Sequence, residues 1–487
     1  MEFLKTRGRE IINESGDVVY LRGTSIGGWM NLEDFINGYP GTANTLKRQM
    51  IRLLGEEIGE YFFEKMADYF LQESDIAYIA SLGANCVRIP LNYRHFEDDD
   101  KPFEYKMEAF ARLDEALGWC EKYNVYAILD MHAAPGWQNN HWHCDNERGA
   151  CMLWRHPHFQ ERLAGLWTLI ADRYKDRSVV AAFEVLNEPN SGCPDGEHPF
   201  DFYGNYKPDW ERLNKLYRNI VKAIREAAPK HMIMLEGDNY GRHFDGLEAP
   251  FDDNLIYSSH NYVMPGFGPG EYPGHFSSPH GDIYWNKDRQ RTELLNHSGM
   301  RYATLHNVPL LIGEFGSQYN GPPEDIEYRL ASMKDQLDVY NDEKVHWTSW
   351  TYKDPGVMGW VTLAPNSEYN LMIKPVQEAK RDLGAENFVA LHQRSPGSEK
   401  AREYSEMIRE ATMDLQNFPN ETYYTFRYAA QTGFAAAMLQ PTYAKLFAGL
   451  QKADIDRILQ SFSLENCNRN KRLEEILIDA LTGNGGQ

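Results

Sequence analysis

The feature that most limits how this chain can fold is an alternation. From about residue 20 to residue 383, apolar β-rich runs are separated by stretches of helical periodicity. The runs cover residues 21–27, 84–91, 124–131, 179–186, 231–237, 254–259, 308–313 and 345–350. Several are unbroken apolar segments, such as Val125-Tyr126-Ala127-Ile128-Leu129. Strands buried on both faces read that way, as in a parallel sheet. Helical patterns at 110–122, 159–174, 210–228 and 326–340 supply crossovers, and the short Gly/Asp-rich link between the fifth and sixth runs carries the weakest helical pattern. Eight strands joined by crossovers predict an α/β fold, a closed (β/α)8 TIM barrel. An open doubly wound sheet would need a Gly-rich phosphate loop after its first strand. Gly23-Thr-Ser-Ile-Gly27-Gly28-Trp29 is not G-x-G-x-x-G, and Trp29 would obstruct a pyrophosphate.

Two further segments flank the alternation. Residues 11–12 and 18–20 surround a Gly-containing turn and predict a hairpin that caps the bottom of the barrel. After Gly384 the pattern is helical only. Tyr404, Met407, Ile408, Ala411 and Leu415 recur at helical spacing, as do Leu473, Ile476, Leu477, Ala480 and Leu481, with Gly483 as a stop. The expected organisation is a barrel over residues 1–385 and a helical extension over 386–487 packed on it. The Ala-rich run 429–439 reads as helix packing, with a dimer interface as its alternative, so a homo-oligomer is compatible with the sequence. The Gly/Pro-rich segment 265–274 reads as a loop.

Charge narrows the partners. With 50 Lys+Arg against 71 Asp+Glu the net charge is −21, which argues against nucleic acid. No signal-peptide h-region follows the first residues and no run of 18 apolar residues occurs, so neither export nor a membrane is expected. The six cysteines show no CxxC pair or regular spacing. The reading is a cytoplasmic, reduced protein. Aromatics make up 13%, a content that suits both sugar stacking and a large core.

In a (β/α)8 barrel the working residues stand at the C-terminal ends of the strands. The fourth run ends in Asn187-Glu188-Pro189, and the seventh in Gly313-Glu314-Phe315. A glutamate there is costly to bury without a partner or a task. Two carboxyls facing one cleft can break a glycosidic bond, one protonating the leaving oxygen and the other attacking the anomeric carbon. Other strand ends supply partners: Arg88 to hold a glutamate ionised, His132, His260 and Tyr262, Trp350 as a flat face for a sugar, and Asn187 for its 2-hydroxyl.

These residues resemble glycoside hydrolase family 5, the cellulase family of clan A. Arg88, His132, Asn187, Glu188, His260, Tyr262, Glu314 and Trp350 match the family's set in order, over roughly residues 20–355. The resemblance implies Glu188 as acid/base and Glu314 as nucleophile of a retaining mechanism. It implies that Tyr262 and Arg88 orient the nucleophile and that Trp350 floors the −1 subsite. The segment from Arg22 to Glu33, with His132-Ala-Ala-Pro-Gly136 and Gln138-Asn139, is similar to the exo-β-1,3-glucanase branch. That similarity makes Glu33 and Asn139 candidate sugar contacts. The loop departs from the branch at Trp137 and at His141-Trp142-His143-Cys144, and the helical C-terminus lies outside its plan.

The same residues admit plainer readings. Glu184 reads as a buried structural hydrogen-bonding group, and Glu236 as structural or supporting. His141, His143 and Cys144 have HxHC spacing, but no fourth ligand accompanies them, and a place in the substrate loop is preferred. No metal and no cofactor is expected. Trp137 and Trp142 either stack on sugar or pack locally, and Trp360 is similarly open. The reading reached is a retaining β-glycosidase acting from the non-reducing end of β-glucosides or short β-glucans, its partner a β-linked oligosaccharide or glycoside. The alternatives are an exo-β-mannosidase and then an endo-β-glucanase. Among other classes, a non-catalytic carbohydrate-binding barrel would lose one of the two glutamates, and both are present. A metal-dependent barrel hydrolase would be sensitive to chelators, and the C-terminal helices could instead form an interaction module.

Overall fold

The eight apolar runs become eight parallel strands that close on themselves. They are β1 (Arg22–Ser25), β2 (Cys86–Asn92), β3 (Tyr126–Ala133), β4 (Val180–Glu184), β5 (Met232–Glu236), β6 (Leu255–His260), β7 (Leu310–Glu314) and β8 (His346–Ser349). β8 pairs with β1 to complete the ring. The computed structural model describes residues 1–190, 207–263, 265–278, 281–386, 395–412 and 426–483. Cys193 and Leu415 lie outside these.

Successive strand residues point to opposite faces, and that alternation builds the barrel in layers. One set of alternate residues, among them Val87, Ile89, Ala127, Leu129, Phe183, Ile233 and Ile312, packs outward into the large core beneath the helices. The other set starts as a small apolar cluster of Cys86, Ile128, Ala182, Met234, Ile256 and Leu311 at the lower end. Two residues further along the same face, the chemistry changes to Arg88, Asp130, Glu184, Glu236 and Ser258, all buried. The polar layer is thus the second tier of one face. The strand register sets Asp130 level with Glu184 and His260 level with Glu314.

The crossover helices are Phe110–Tyr123, Pro157–Tyr174, Trp210–Ala227 and Pro323–Asp342, each within a few residues of the expected span. Between β5 and β6 only Asp238–Gly241 is helical, and its Asn239 and Tyr240 are left-handed, with φ of 51° and 61°. The connection after β1 holds helices Asp34–Asn37, Ala43–Leu54, Glu56–Phe70 and Glu73–Ser81.

Two expectations are corrected. The N-terminal hairpin pairs mainly Lys5–Arg7 with Glu10–Ile12, and the expected 11–12/18–20 contact survives as a single bridge from Ile12 to Val18. Its Leu4 and Ile11 do plug the barrel's lower end, packing with Leu21 and Ile128. The Gly/Pro-rich stretch 265–273 is loop, as expected, and it leads into a second hairpin, Gly274–Ser278 against Gly281–Trp285. In the extension, helix Pro396–Ala411 buries Ser398, Ala401 and Ser405, while Tyr404 and Met407 are exposed.

The remaining extension helices pack inward. Lys471–Thr482 buries Leu473, Leu477 and Ala480, as its spacing predicts. The Ala-rich run becomes a π-helical turn over Tyr428–Ala435 and helix Ala436–Lys445, which lies against Ala43–Leu54. Gln440 fastens it, its amide donating to the carbonyls of Pro40 and Thr42 at 2.9 and 3.0 Å. No helix among the described residues is long and apolar enough to cross a membrane.

Candidate active site

Arg88 is the organising charge. Its side chain on β2 is fully buried, and its guanidinium is shared among strand-end groups. Nε donates to Glu184 (2.6 Å), Nη1 to Glu314 (2.8 Å) and Nη2 to the Asn187 side-chain carbonyl (2.7 Å). Asp130 lies 3.0 Å and Glu236 3.5 Å from Nη2. A single carboxylate left buried without a cation would cost several kcal/mol, so this planar, always-charged fork is what allows an acidic tier inside the barrel.

Glu314, at the end of β7, is gripped from two sides. Arg88 holds Oε1, and the Tyr262 hydroxyl donates to Oε2 at 2.9 Å. Glu188, just beyond β4, has left-handed backbone at φ 48°. Its neighbours fix that strained conformation. The Glu188 N–H donates to Glu236 Oε2 (2.9 Å), and the Asn139 amide donates to the Glu188 carbonyl (2.9 Å). Each oxygen of the Glu188 side chain faces an imidazole. His260 Nδ1 is hydrogen-bonded to Oε1 at 2.6 Å, and His143 Nε2 lies 3.2 Å from Oε2. An oxygen of Glu188 and one of Glu314 lie within 4.8 Å of each other and of a His260 nitrogen.

The electrostatics follow from this crowding. Burial pushes Glu188 up, but His143 and His260 outweigh it and hold the carboxyl at about 2. Burial pulls His260 down, but the charges of Glu314, Glu236 and Glu188 raise it well above the ordinary histidine range. Glu236 is pushed up to about 8 by burial. The proton of the Glu188–His260 pair therefore rests on the imidazole, a short hydrogen bond away from the carboxyl.

A second group closes the site on the side of β1 and β3. His132 Nδ1 contacts Asp130 at 2.7 Å, and its ring stacks on Trp350 at 5.3 Å with 6° between planes. Burial drives His132 down to about 3, so it is neutral. The rim of the Trp350 indole lies close to Gly27, where a Cβ would come within 2.7 Å of it. Glu33 is buried, with Oε1 3.2 Å from His132 Nε2 and without a hydrogen-bond partner among the described residues. Burial first, then the charge of Glu314, raises its carboxyl well above the usual range.

The structure brings Glu188, Glu314, Arg88, His132, Asn187, His260, Tyr262, Trp350 and Glu33 into one site. Asn139 stands beneath Glu188 as a backbone support. Trp137 packs with Ala133 and Cys144, its indole N–H donating to the Asp145 carbonyl at 3.0 Å, and so braces the loop. Trp142 lines a cavity beside the site. Trp360 is buried, with its N–H donating to Ser349 Oγ at 2.7 Å. The Cys144 thiol turns to carbonyls of its own loop. Sequence reasoning did not single out Asp130, although its place two residues before His132 on one strand face was the available signal. It also did not foresee His143 against Glu188.

Comparison with known proteins gives the family. The family model for cellulase, glycosyl hydrolase family 5, matches residues 55–356. A β-xylosidase of Phanerodontia chrysosporium is 31% identical, over 98% of both chains. Endoglucanase C of Acetivibrio thermocellus is 28% identical over 62% of this chain and 90% of its own. The crystal structure of a glycoside hydrolase superposes with a TM-score of 0.51 at 22% identity, covering 72% of this chain and 94% of that one, a likeness of fold. Because the family match takes in most of the barrel and the β-xylosidase aligns across nearly all of the sequence, the chain belongs to glycoside hydrolase family 5 and is a glycoside hydrolase.

Proposed function

We propose that the chain is a retaining, exo-acting β-glycosidase that removes a single glucose or xylose from the non-reducing end of a β-glycoside. The carrying observation is the approach of Glu188 and Glu314 to within 4.8 Å. Retaining enzymes hold their carboxyls about 5–5.5 Å apart, whereas inverting ones leave room for a water between them. Glu314, with Arg88 on one oxygen and Tyr262 on the other, is the nucleophile. Its attack forms a bond to the anomeric carbon as the glycosidic C–O bond breaks. The leaving oxygen takes the proton of the Glu188–His260 pair. Once Glu314 is esterified its charge is gone, His260 loses part of its support, and Glu188 withdraws a proton from the water that releases the sugar.

Exo action is supported by Glu33. Its unpartnered Oε1 stands beside His132 and Trp350, where a terminal sugar would present its hydroxyls. Asn187 lies between Arg88 and His132 and is placed for the 2-hydroxyl. Xylose enters because the relative that matches 98% of the chain carries the name β-xylosidase. It joins glucose, the sugar suggested by the branch resemblance.

The test is hydrolysis of aryl β-glucoside, β-xyloside and β-mannoside by the wild type, Glu188→Gln and Glu314→Gln, with the first-formed anomer read by proton NMR. The expectation is turnover of glucoside or xyloside, a β product, and loss in Glu314→Gln that no leaving group rescues. An α product would exclude retention. Preference for the mannoside would exclude the sugar assignment.

A further inference from the structure

A cavity of about 900 Å3 opens beside the catalytic pair. That is a size suited to an organic molecule of several rings. One side belongs to the barrel: His141 and Trp142 from the loop after β3, Asn190 just past Glu188, and Tyr240 after β5. The facing side belongs to the C-terminal extension, through Tyr428, Thr432, Phe434 and Ala437. The two sides are joined by ring contacts. The His141 ring lies 4.6 Å from Tyr240 and 4.3 Å from Tyr428.

Its position relative to the chemistry is fixed by Glu188. The backbone N–H of Tyr240 donates to the Pro189 carbonyl at 3.2 Å, and His143, between His141 and Glu188, reaches the carboxyl. Neither Glu188 nor Glu314, Glu33, His132 or Trp350 is part of its lining, which approaches Glu188 only through Asn190, two residues on, and His141, whose ring meets that of His143. An acid that protonates the leaving oxygen lies on the leaving-group side of the scissile bond. A cavity reached past Glu188, through Asn190 and Tyr240, is therefore on the side that receives what leaves.

We propose that this cavity is the leaving-group site and that the C-terminal extension makes it selective for an apolar, ring-bearing aglycone. The inference rests on the glycosidase reading. The extension's wall has little to offer a sugar. Ala429, Gly433, Phe434 and Ala437 carry no hydrogen-bonding side chain, and the Thr432 hydroxyl is spent on the Tyr428 carbonyl at 3.3 Å, so the phenol of Tyr428 is the wall's remaining polar side chain among the described residues. Hydroxyls desolvated against such a surface lose their water without replacement. An apolar ring gains from the same burial. Phe434, 66% exposed, presents a ring to pack on. The polar groups sit on the barrel side, among them Asn190, Asn140 and Arg148. The endoglucanase, which matches only 62% of this chain, aligns over too little of it to include the barrel and extension together, whereas the β-xylosidase aligns over 98%.

The test compares three substrates with one glycone: a naphthyl glycoside, a β-linked disaccharide and the glycosyl fluoride, whose leaving group is a single atom. Wild type is compared with Ala437→Trp, which fills the cavity, and Phe434→Asn, which makes its wall polar. The expected wild-type preference is naphthyl over disaccharide. Ala437→Trp should lose about tenfold or more in kcat/KM on the naphthyl glycoside, with turnover of the fluoride kept. Phe434→Asn should narrow the naphthyl preference. Equal loss on naphthyl glycoside and fluoride would make the wall a scaffold only and overturn the inference, as would no change on either. A wild type that prefers the disaccharide would overturn the aglycone class. A wild type that cleaves none of the three would overturn the glycosidase reading itself.

Discussion

The two imidazoles on Glu188 differ in charge, and that difference is testable. His143 is held at about 4 by burial and is neutral, whereas His260 is raised by three carboxylates and keeps its proton. As pH rises, the Glu188–His260 pair retains its proton until the raised value of His260 is passed. Without His260, the proton is lost as the carboxyl itself titrates, at lower pH. His260→Asn should therefore move the basic limb of kcat/KM toward acid and cost about 10²-fold or more at neutral pH. A pH–rate profile on an aryl glycoside checks this, and an unmoved basic limb would refute it. Glu33→Ala should cost about 10- to 100-fold in kcat/KM, the value of one hydrogen bond to a sugar from a buried site, and leave the pH limbs in place. The two glutamates, Arg88, Tyr262 and Trp350 were legible because strand ends in a closed barrel converge, so position along the sequence fixes position in space. His143 was not legible in this way. Its contact depends on a loop whose path is set by tertiary hydrogen bonds, such as the Asn31 amide donating to the His143 carbonyl at 2.9 Å.

The loop after β3 is where the sequence departs from the branch it resembles, and it is built as a small structure in its own right. Trp137, left-handed at φ 62°, packs with Ala133 and Cys144. The Gln138 amide donates to the carbonyls of His132 (2.7 Å) and Asn187 (2.9 Å), tying the ends of β3 and β4 together. Trp137→Ala removes the brace and should cost about 3 kcal/mol or more if the loop's folding is coupled to the barrel's. If the loop instead loosens by itself, the melting temperature holds and kcat falls because His143 and Asn139 lose their places. Thermal melting with amide exchange across residues 133–155 separates these outcomes, and a variant unchanged in melting, exchange and kcat would remove the loop from the mechanism. Strands were readable because burial on both faces leaves an unbroken apolar signature. The hairpin Gly274–Ser278/Gly281–Trp285 was not, since its burial alternates weakly and its flanks are Gly- and Pro-rich. The stripe through Tyr404 and Met407 misled because helical spacing identifies an apolar face without saying that the face is covered; the small residues Ala401 and Ser405 are what let that helix approach its neighbour.

Barrel and extension share one core. Phe62 and Phe70, on a helix after β1, meet Phe447 and Phe462 of the extension at ring distances of 4.8 and 5.7 Å. Strand Cys467–Arg469 pairs with Val361–Leu363, next to β8. Lys353, fully buried, is neutralised by Asp75 at 2.7 Å and donates to the carbonyls of Phe70 and Phe462, so one ammonium joins both parts. Cutting the chain at residue 385 would leave that ammonium short of a partner and expose the aromatic faces of Phe62 and Phe70. A charge or polar group stranded in this way costs about 1–3 kcal/mol, and each uncovered aromatic adds about 1.5–3 kcal/mol, sums comparable with the whole stability of a domain. Residues 1–385 alone should therefore fail to give a soluble, cooperatively melting protein, and the full chain should unfold in a single transition. Phe462→Ala, a milder cut at the same seam, should cost about 3–5 kcal/mol and lower the melting of barrel and extension together. Calorimetry on the full chain and on Phe462→Ala reads this directly. Two separate transitions, or a stable and active 1–385 fragment, would make the extension an appended module. In that case the selectivity argued for its cavity wall would be lost on truncation while hydrolysis of the glycosyl fluoride survived.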